Sequence, residues 1–378
     1  MRWADVSLRR EPIPTGHGAG AGTGAVLMGN MDAKKWKIAF LRRRFSPTGG
    51  AEHYLLRLAS GLAARGHEMA LYCENWSPRE NPFHAIRKVE SNDPVSFAQR
   101  VKTVPLADRH DIIFSLERTP GCDLYRAGDG VHADWLAFRH SFSPVGGRLR
   151  TWLRDKNRKL CALEAEVFAP GGAKRVICNS HFVAGQIVKR FGFDPERIDV
   201  IYNGVPCQQF SAGDRALGRR ALGLRAKDYV ILLVGAGKER KGHDLAWRAM
   251  RHIRQKEAKL VIVDSPPPAA MPHVYAAADV FLLPTLYDPF ANVTLEALAA
   301  GLPVITSAQN GAAEIMQDGV NGFVLPRADD VKRMVTLLNE LEDPTRRESL
   351  REPAQALAQK YDLSRNIEAT LEVFAKLI

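Results

Sequence analysis

No run of eighteen or more apolar residues occurs in the 378-residue chain, so no stretch of it has the length and hydrophobicity of a membrane-spanning helix. Cysteine is scarce too. Cys73, Cys122, Cys161, Cys178 and Cys207 are odd in number, scattered and without CxxC spacing, which argues against a disulfide framework or a cysteine zinc site and fits a reducing cytoplasm. No His/Asp cluster has metal-ligand spacing, so a metal-independent chemistry is expected. Acidic residues are outnumbered, 42 against 53 Lys and Arg, and the net charge of +11 implies an anionic partner: phosphate, an acidic membrane face or nucleic acid. No recognition-module pattern accompanies the charge, which leaves nucleic acid the poorest of the three. Residues 1–30 lack the apolar core of a secretory signal and read as a disordered or mis-started extension, with Met28 and Met31 just ahead of the first convincing strand.

What is present is a 46% hydrophobic, 25% charged composition, long enough for two domains that each bury a core. Buried-type strands are expected from residue 36 and at 67–73, 111–116, 174–178, 198–202, 229–234, 259–263, 280–283 and 304–306. Helical patterns separate most of them, as in a parallel α/β sheet with crossover helices. The alternation pauses in the polar stretch after Asn203 and restarts at Tyr229. The expected division is an amino-terminal Rossmann-like domain over 31–205, a carboxyl-terminal one over 206–360, and a helix over 361–378 that packs back on the first.

Four stretches carry chemistry. Gly49 and Gly50 follow the first strand and open a helix, a turn in which backbone amides approach phosphate without a Cβ in the way, although such a pair is also a common plain turn. Residues 117–132 follow a strand's carboxyl end, where sheet ligands bind; Asp129, between two glycines, fits a turn aspartate equally well, and Glu117 also fits a surface residue. GAGKERKG, residues 235–242, joins Gly235 to the guanidinium of Arg240 and the ammonium of Lys241 just after a buried strand, a combination suited to a diphosphate. PTLYDPFANVTLEA, residues 284–297, puts Asp288 on a loop and Glu296 eight residues later in a helix, with a helix-start amide cluster between them; a loop Asp before a helix is also a common cap. A fifth stretch, residues 135–159, interleaves Arg148, Arg150 and Arg154 with Trp135, Phe138 and Trp152. It fits an anionic membrane interface, or a solvated helix whose aromatics pack inward.

At Arg240-Lys241, Asp288 and Glu296, and along the ordered motifs FSPTGGAE, RAGDG, NSHF, IYNGV, GAGKERKG, YAAADVFLLPT and LEALAAGLPVITS, the chain resembles the retaining GT-B glycosyltransferases of family 4. Within these it is most similar to the lipopolysaccharide core glucosyltransferases that act on heptose, over residues 36 to 378. The resemblance implies two Rossmann-like domains facing each other across a cleft. Gly49 and Gly50 would face the diphosphate of a nucleotide sugar, a substrate and not a cofactor. Arg240 and Lys241 would neutralise it as the leaving group builds charge. Asp288 would contact sugar hydroxyls, Glu296 would lie near the ribose, and Asp129 would orient acceptor or sugar. Phe290, Ala291, Asn292 and Val293 would present amides. The implied activity moves a hexose, glucose from UDP-glucose first among them, onto the lipid-linked lipopolysaccharide inner core. The enzyme would be cytoplasmic and peripheral to the anionic inner membrane. Another nucleotide sugar with an exopolysaccharide or glycolipid acceptor, or a catalytically impaired anion- or membrane-binding homologue, are the rival readings. Two departures stand out. Asp288 replaces a Glu, one methylene longer, and after Val263 the family's next helix and strand shrink to a few residues, which predicts a shortened second domain.

Overall fold

The computed structural model describes residues 34–46, 49–77, 81–141, 155–264 and 267–378. The 1–30 extension, Arg148, Arg150, Trp152 and Arg154 lie outside them.

The first half runs β1 (Lys37–Leu41), α1 (Gly50–Ala63), β2 (Glu68–Cys73), β3 (Ala85–Lys88), α2 (Pro94–Lys102), β4 (Ile112–Ser115), β5 (Leu124–Arg126), α3 (His132–Ser141), α4 (Asp155–Phe168), β6 (Arg175–Cys178), α5 (His181–Phe191) and β7 (Ile198–Val200). Its seven strands are all parallel, in the order β3-β2-β1-β4-β5-β6-β7. The order reverses between β1 and β4, so a crevice opens beyond their carboxyl ends, where Gly49 and Glu117 lie. Ile38, Phe40, Leu71, Ile112 and Phe114 are fully buried, as central parallel strands covered on both faces require.

The second half follows with α6 (Cys207–Ser211), α7 (Arg215–Ala221), β8 (Tyr229–Val234), α8 (Lys238–Lys241), α9 (His243–Met250), β9 (Ala258–Val263), α10 (Met271–Ala277), β10 (Val280–Leu283), α11 (Asn292–Ala299), β11 (Val304–Ser307), β12 (Phe323–Leu325), α12 (Val331–Glu340), α13 (Pro344–Gln359) and α14 (Leu363–Ala375). Five parallel strands stand in the order β12-β11-β10-β8-β9. Here the order reverses between β8 and β10, which places residues 235–242 and 284–291 together at the second crevice. β9 is an outer strand, with every residue but Val263 half-buried, and among the described residues a single 3-10 turn, Pro268–Ala270, stands between it and α10.

The chain passes between the halves twice, and the two passages run side by side. Val205 N–H donates to the Tyr361 carbonyl at 3.1 Å and Leu363 N–H to the Val205 carbonyl at 3.1 Å. Beyond them α14 lies against α1, and Phe374 meets the rings of Trp36 and Phe114 at 5.8 and 5.7 Å.

Among the elements that were not legible in the sequence, three show why. β3 is an exposed four-residue edge, β5 is three residues inside a polar stretch, and α13 carries Pro353 within a helix of 16 residues. Short strands have no periodicity to read, and an internal proline reads as a stop.

Candidate active site

Lys241 ends α8, the one-turn helix that follows β8. Gly237 and Gly242 bound that turn with φ of +90° and +73°, left-handed values that glycine adopts without strain. The Lys241 side chain crosses the face of Gly235, where a Cβ would lie 2.9 Å from its Cε. Its ammonium donates to Asp288 Oδ2 at 2.8 Å, and Arg240 Nη1 donates to the same oxygen at 3.0 Å. Asp288 is 5% exposed and accepts a third hydrogen bond from Phe290 N–H. Burial works against its charge, but Lys241, Arg240 and the Phe290 amide outweigh burial and hold the carboxyl below the usual range. Burial, aided by the Arg240 charge, pulls Lys241 below the ordinary lysine value, and Asp288 opposes both.

The Oδ2 oxygen of the carboxylate is thus shared by two cations. An aspartate on this loop reaches the cations, and its own backbone is pinned, N–H to the Gln309 carbonyl at 2.8 Å and carbonyl to Gly311 N–H at 2.9 Å.

The amides that follow Asp288 divide into two sets. Phe290 N–H is taken by Asp288, and Ala291 N–H donates to Asn310 Oδ1 at 3.0 Å. Asn292 and Val293 open α11, whose first turn has no side-chain cap, so theirs are the amides without an intrahelical acceptor. Across the cleft stands the Gly49-Gly50 turn. A Cβ on Gly50 would lie 3.6 Å from Asn292 Nδ2, so this glycine of the first half and the start of α11 share one space. Asn292 is tied to the first half by Asn203, whose Nδ2 donates to it at 2.5 Å, and Asn203 in turn accepts from the buried Arg126. Glu296, one turn into α11, accepts from the Tyr275 hydroxyl at 2.9 Å and faces Arg57 at 3.8 Å.

Asp129 lies on the other wall, half exposed, 3.7 Å from Arg42, which also holds Glu117 at 3.4 Å and Glu52 at 2.7 Å. Burial, with Asp129 adding to it and Arg42 opposing, raises the Glu117 carboxyl, so this residue belongs to the crevice and is not a free surface acid. Among the described residues no three His, Cys, Asp or Glu side chains gather as a metal-holding group.

Residues 48–209 match Glycosyltransferase Family 4, and residues 265–343 match Glycosyl transferases group 1. A D-inositol 3-phosphate glycosyltransferase of Mycobacterium sp. (strain KMS) is 30% identical over 340 residues, 74% of this chain and 75% of that one. The chain belongs to glycosyltransferase family 4. The Salinispora arenicola protein of the same description is 28% identical over 295 residues, 65% of this chain, and the match spans 66% of that relative's length. The lipopolysaccharide glucosyltransferase WaaG of Escherichia coli (strain K12) is 24% identical over 323 residues, 76% of this chain and 84% of its own. The crystal structure of WaaG superposes with a TM-score of 0.75 at 24% identity, covering 89% of this chain and 99% of that one. Anabaena HepE, solved in complex with UDP-glucose, gives 0.67 at 20% identity, covering 90% and 100%. These likenesses carry the two-sheet GT-B fold.

In this family 4 chain the basic aromatic stretch proves divided. Trp135 and Phe138 are half-buried in α3, with ring centres 5.9 and 5.5 Å from Tyr287 of the second half. They pack across the cleft against that buried tyrosine, as aromatic rings at such distances do. Residues the sequence did not single out do the joining. Tyr287 enters the first half, and Glu314 caps α5 from the second, accepting His181 N–H at 2.8 Å, Phe182 N–H at 2.5 Å and the Tyr202 hydroxyl at 3.1 Å. A tyrosine next to Asp288 was the only signal for the first. A glutamate in a polar loop gave none for the second.

Proposed function

We propose that this chain is a retaining hexosyltransferase that takes glucose from UDP-glucose and attaches it to the inner core of a lipid-linked lipopolysaccharide. The observation that carries the reading is Arg240 and Lys241, held on the single carboxylate of Asp288 at the carboxyl end of β8, beside the uncapped start of α11. A nucleotide diphosphate replaces that carboxylate as the partner of the cations, and the Asn292 and Val293 amides add the helix-end field. As the C1–O bond to phosphate breaks, the growing negative charge falls where the cations stand. The acceptor hydroxyl attacks C1 from the same face and its proton passes to the departing phosphate oxygen, which preserves configuration. Asp129 and Glu117, beside Arg42, would orient acceptor hydroxyls. No metal is required in this scheme, and the net charge of +11 favours approach to an anionic inner-membrane surface.

UDP-glucose is supported as donor by the HepE complex and the lipopolysaccharide acceptor by the WaaG similarity. The inositol 3-phosphate enzymes favour a second reading, with a phosphorylated cyclitol as acceptor. Transfer of radiolabelled glucose from UDP-glucose to core-truncated lipopolysaccharide, with inositol 3-phosphate in parallel, separates them. Label in the lipopolysaccharide that is lost in Lys241→Ala supports the first reading. Label in inositol phosphate replaces it with the second, and equal transfer by wild type and Lys241→Ala removes the diphosphate role.

A further inference from the structure

The loop that carries Asp288 also carries a grip of the second half on the first. Tyr287 is 2% exposed, and its ring lies among Trp135, Phe138 and Phe182, at centre distances of 5.9, 5.5 and 5.5 Å. All three belong to helices α3 and α5 of the first half. Its hydroxyl accepts Val131 N–H at 3.0 Å and donates to Gln186 Oε1 at 3.0 Å. Two residues on, the Pro289 carbonyl accepts from Ser180 Oγ at 2.8 Å. The side chain between these two contacts is that of Asp288, which turns the other way to Arg240 and Lys241.

Val131 follows the turn that presents Asp129. Gly130, within that turn, has φ +70°; a Cβ there would lie 2.6 Å from Pro289 Cγ and closer still to the Tyr287 hydroxyl. The glycine is thus required by the incoming loop as well as by its own backbone. One tripeptide therefore touches the Asp129 turn with one residue and the diphosphate cations with the next.

We propose that Tyr287 is a positioning residue that couples the Asp129 turn to the Asp288–Arg240–Lys241 group, so that ordering either wall of the cleft favours the ordered form of the other. This rests on the glycosyl-transfer reading above. A phenylalanine fills the aromatic socket equally well, but only a hydroxyl satisfies the buried Val131 N–H, and that bond gives the contact its register. A ligand that orders the donor wall has then met part of the cost of ordering the acceptor turn, and by linkage the reverse holds.

The test compares wild type, Tyr287→Phe and Tyr287→Ala in the full chain by amide exchange at Val131, calorimetric binding of UDP, and steady-state kinetics with donor and acceptor varied separately. For Tyr287→Phe, loss of one net hydrogen bond predicts Val131 exchange roughly ten-fold faster, UDP affinity within about two-fold of wild type, and a roughly ten-fold fall in kcat/KM for the acceptor. Unchanged exchange at Val131 overturns the proposal. So does a loss of UDP affinity as large as the loss in kcat/KM, which would mark simple damage to the donor wall. Should Tyr287→Ala fail to fold, Tyr287→Phe decides alone. A wild-type protein that transfers no sugar sinks the transfer reading and leaves the exchange result standing, because exchange needs no substrate.

Discussion

Lys241 and Asp288 form a buried ion pair whose strength depends on keeping both members. Removing the carboxylate in Asp288→Ala strands an ammonium that is 9% exposed, and the expected cost is on the order of 3 kcal/mol in urea unfolding. The pH dependence has a definite sign. The folded carboxyl titrates below the unfolded value of about 3.9, so its contribution is whole above about pH 4 and is lost as the pH falls further. The urea midpoints of wild type and Asp288→Asn are accordingly expected to converge as the pH falls below about 4. At the alkaline end, burial sets the Lys241 ammonium below the ordinary value of about 10.4, so UDP affinity is expected to fall at a pH where an exposed lysine would still be charged. Calorimetry from neutral to alkaline pH checks this. In transfer, Lys241→Ala is expected to lose roughly 100-fold or more in kcat, the scale of removing one donor from a developing anion. The sequence disclosed which residues gather here, because glycines and cations after a buried strand leave a readable trace. It did not disclose that Asp288 faces the cations, since that direction is set by the loop's backbone bonds to Gln309 and Gly311, which leave no local pattern.

At the scale of elements, the glycine turns decide what fits. Gly130→Ala forces a β-carbon both into a left-handed backbone and against the Tyr287 loop. The expected loss is about 1–3 kcal/mol, read as a lowered Tm. Buried strands such as β8 and β10 announce themselves in sequence through unbroken runs, YVILLV and VFLL, of residues covered on both faces. The three-residue β5 does not, because pairing with β4 and β6 holds it there, and its own composition does not. The aromatics of α3 were ambiguous for a related reason. A ring pattern shows that something apolar is met, and only the fold shows that Tyr287 is among it.

For the whole molecule, the cleft is closed by pieces that each half lends the other. Glu314 caps α5 from across it, so Glu314→Ala is expected to cost about 1 kcal/mol. It is also expected to let the halves separate, seen as a larger radius of gyration in solution scattering and a broader calorimetric transition, while isolated UDP binding persists. None of this was legible from sequence, since a contact between residues 181 and 314 leaves no local pattern. The same exchange extends to α14, which completes the core beside α1 with Ile367, Val373 and Phe374 although it is made after every strand of the second sheet. On the ribosome, then, the half that emerges first is the half that finishes last. Its β1–β4 hydrophobic face waits, open to chaperones and to other nascent chains, until residue 374 has left the tunnel.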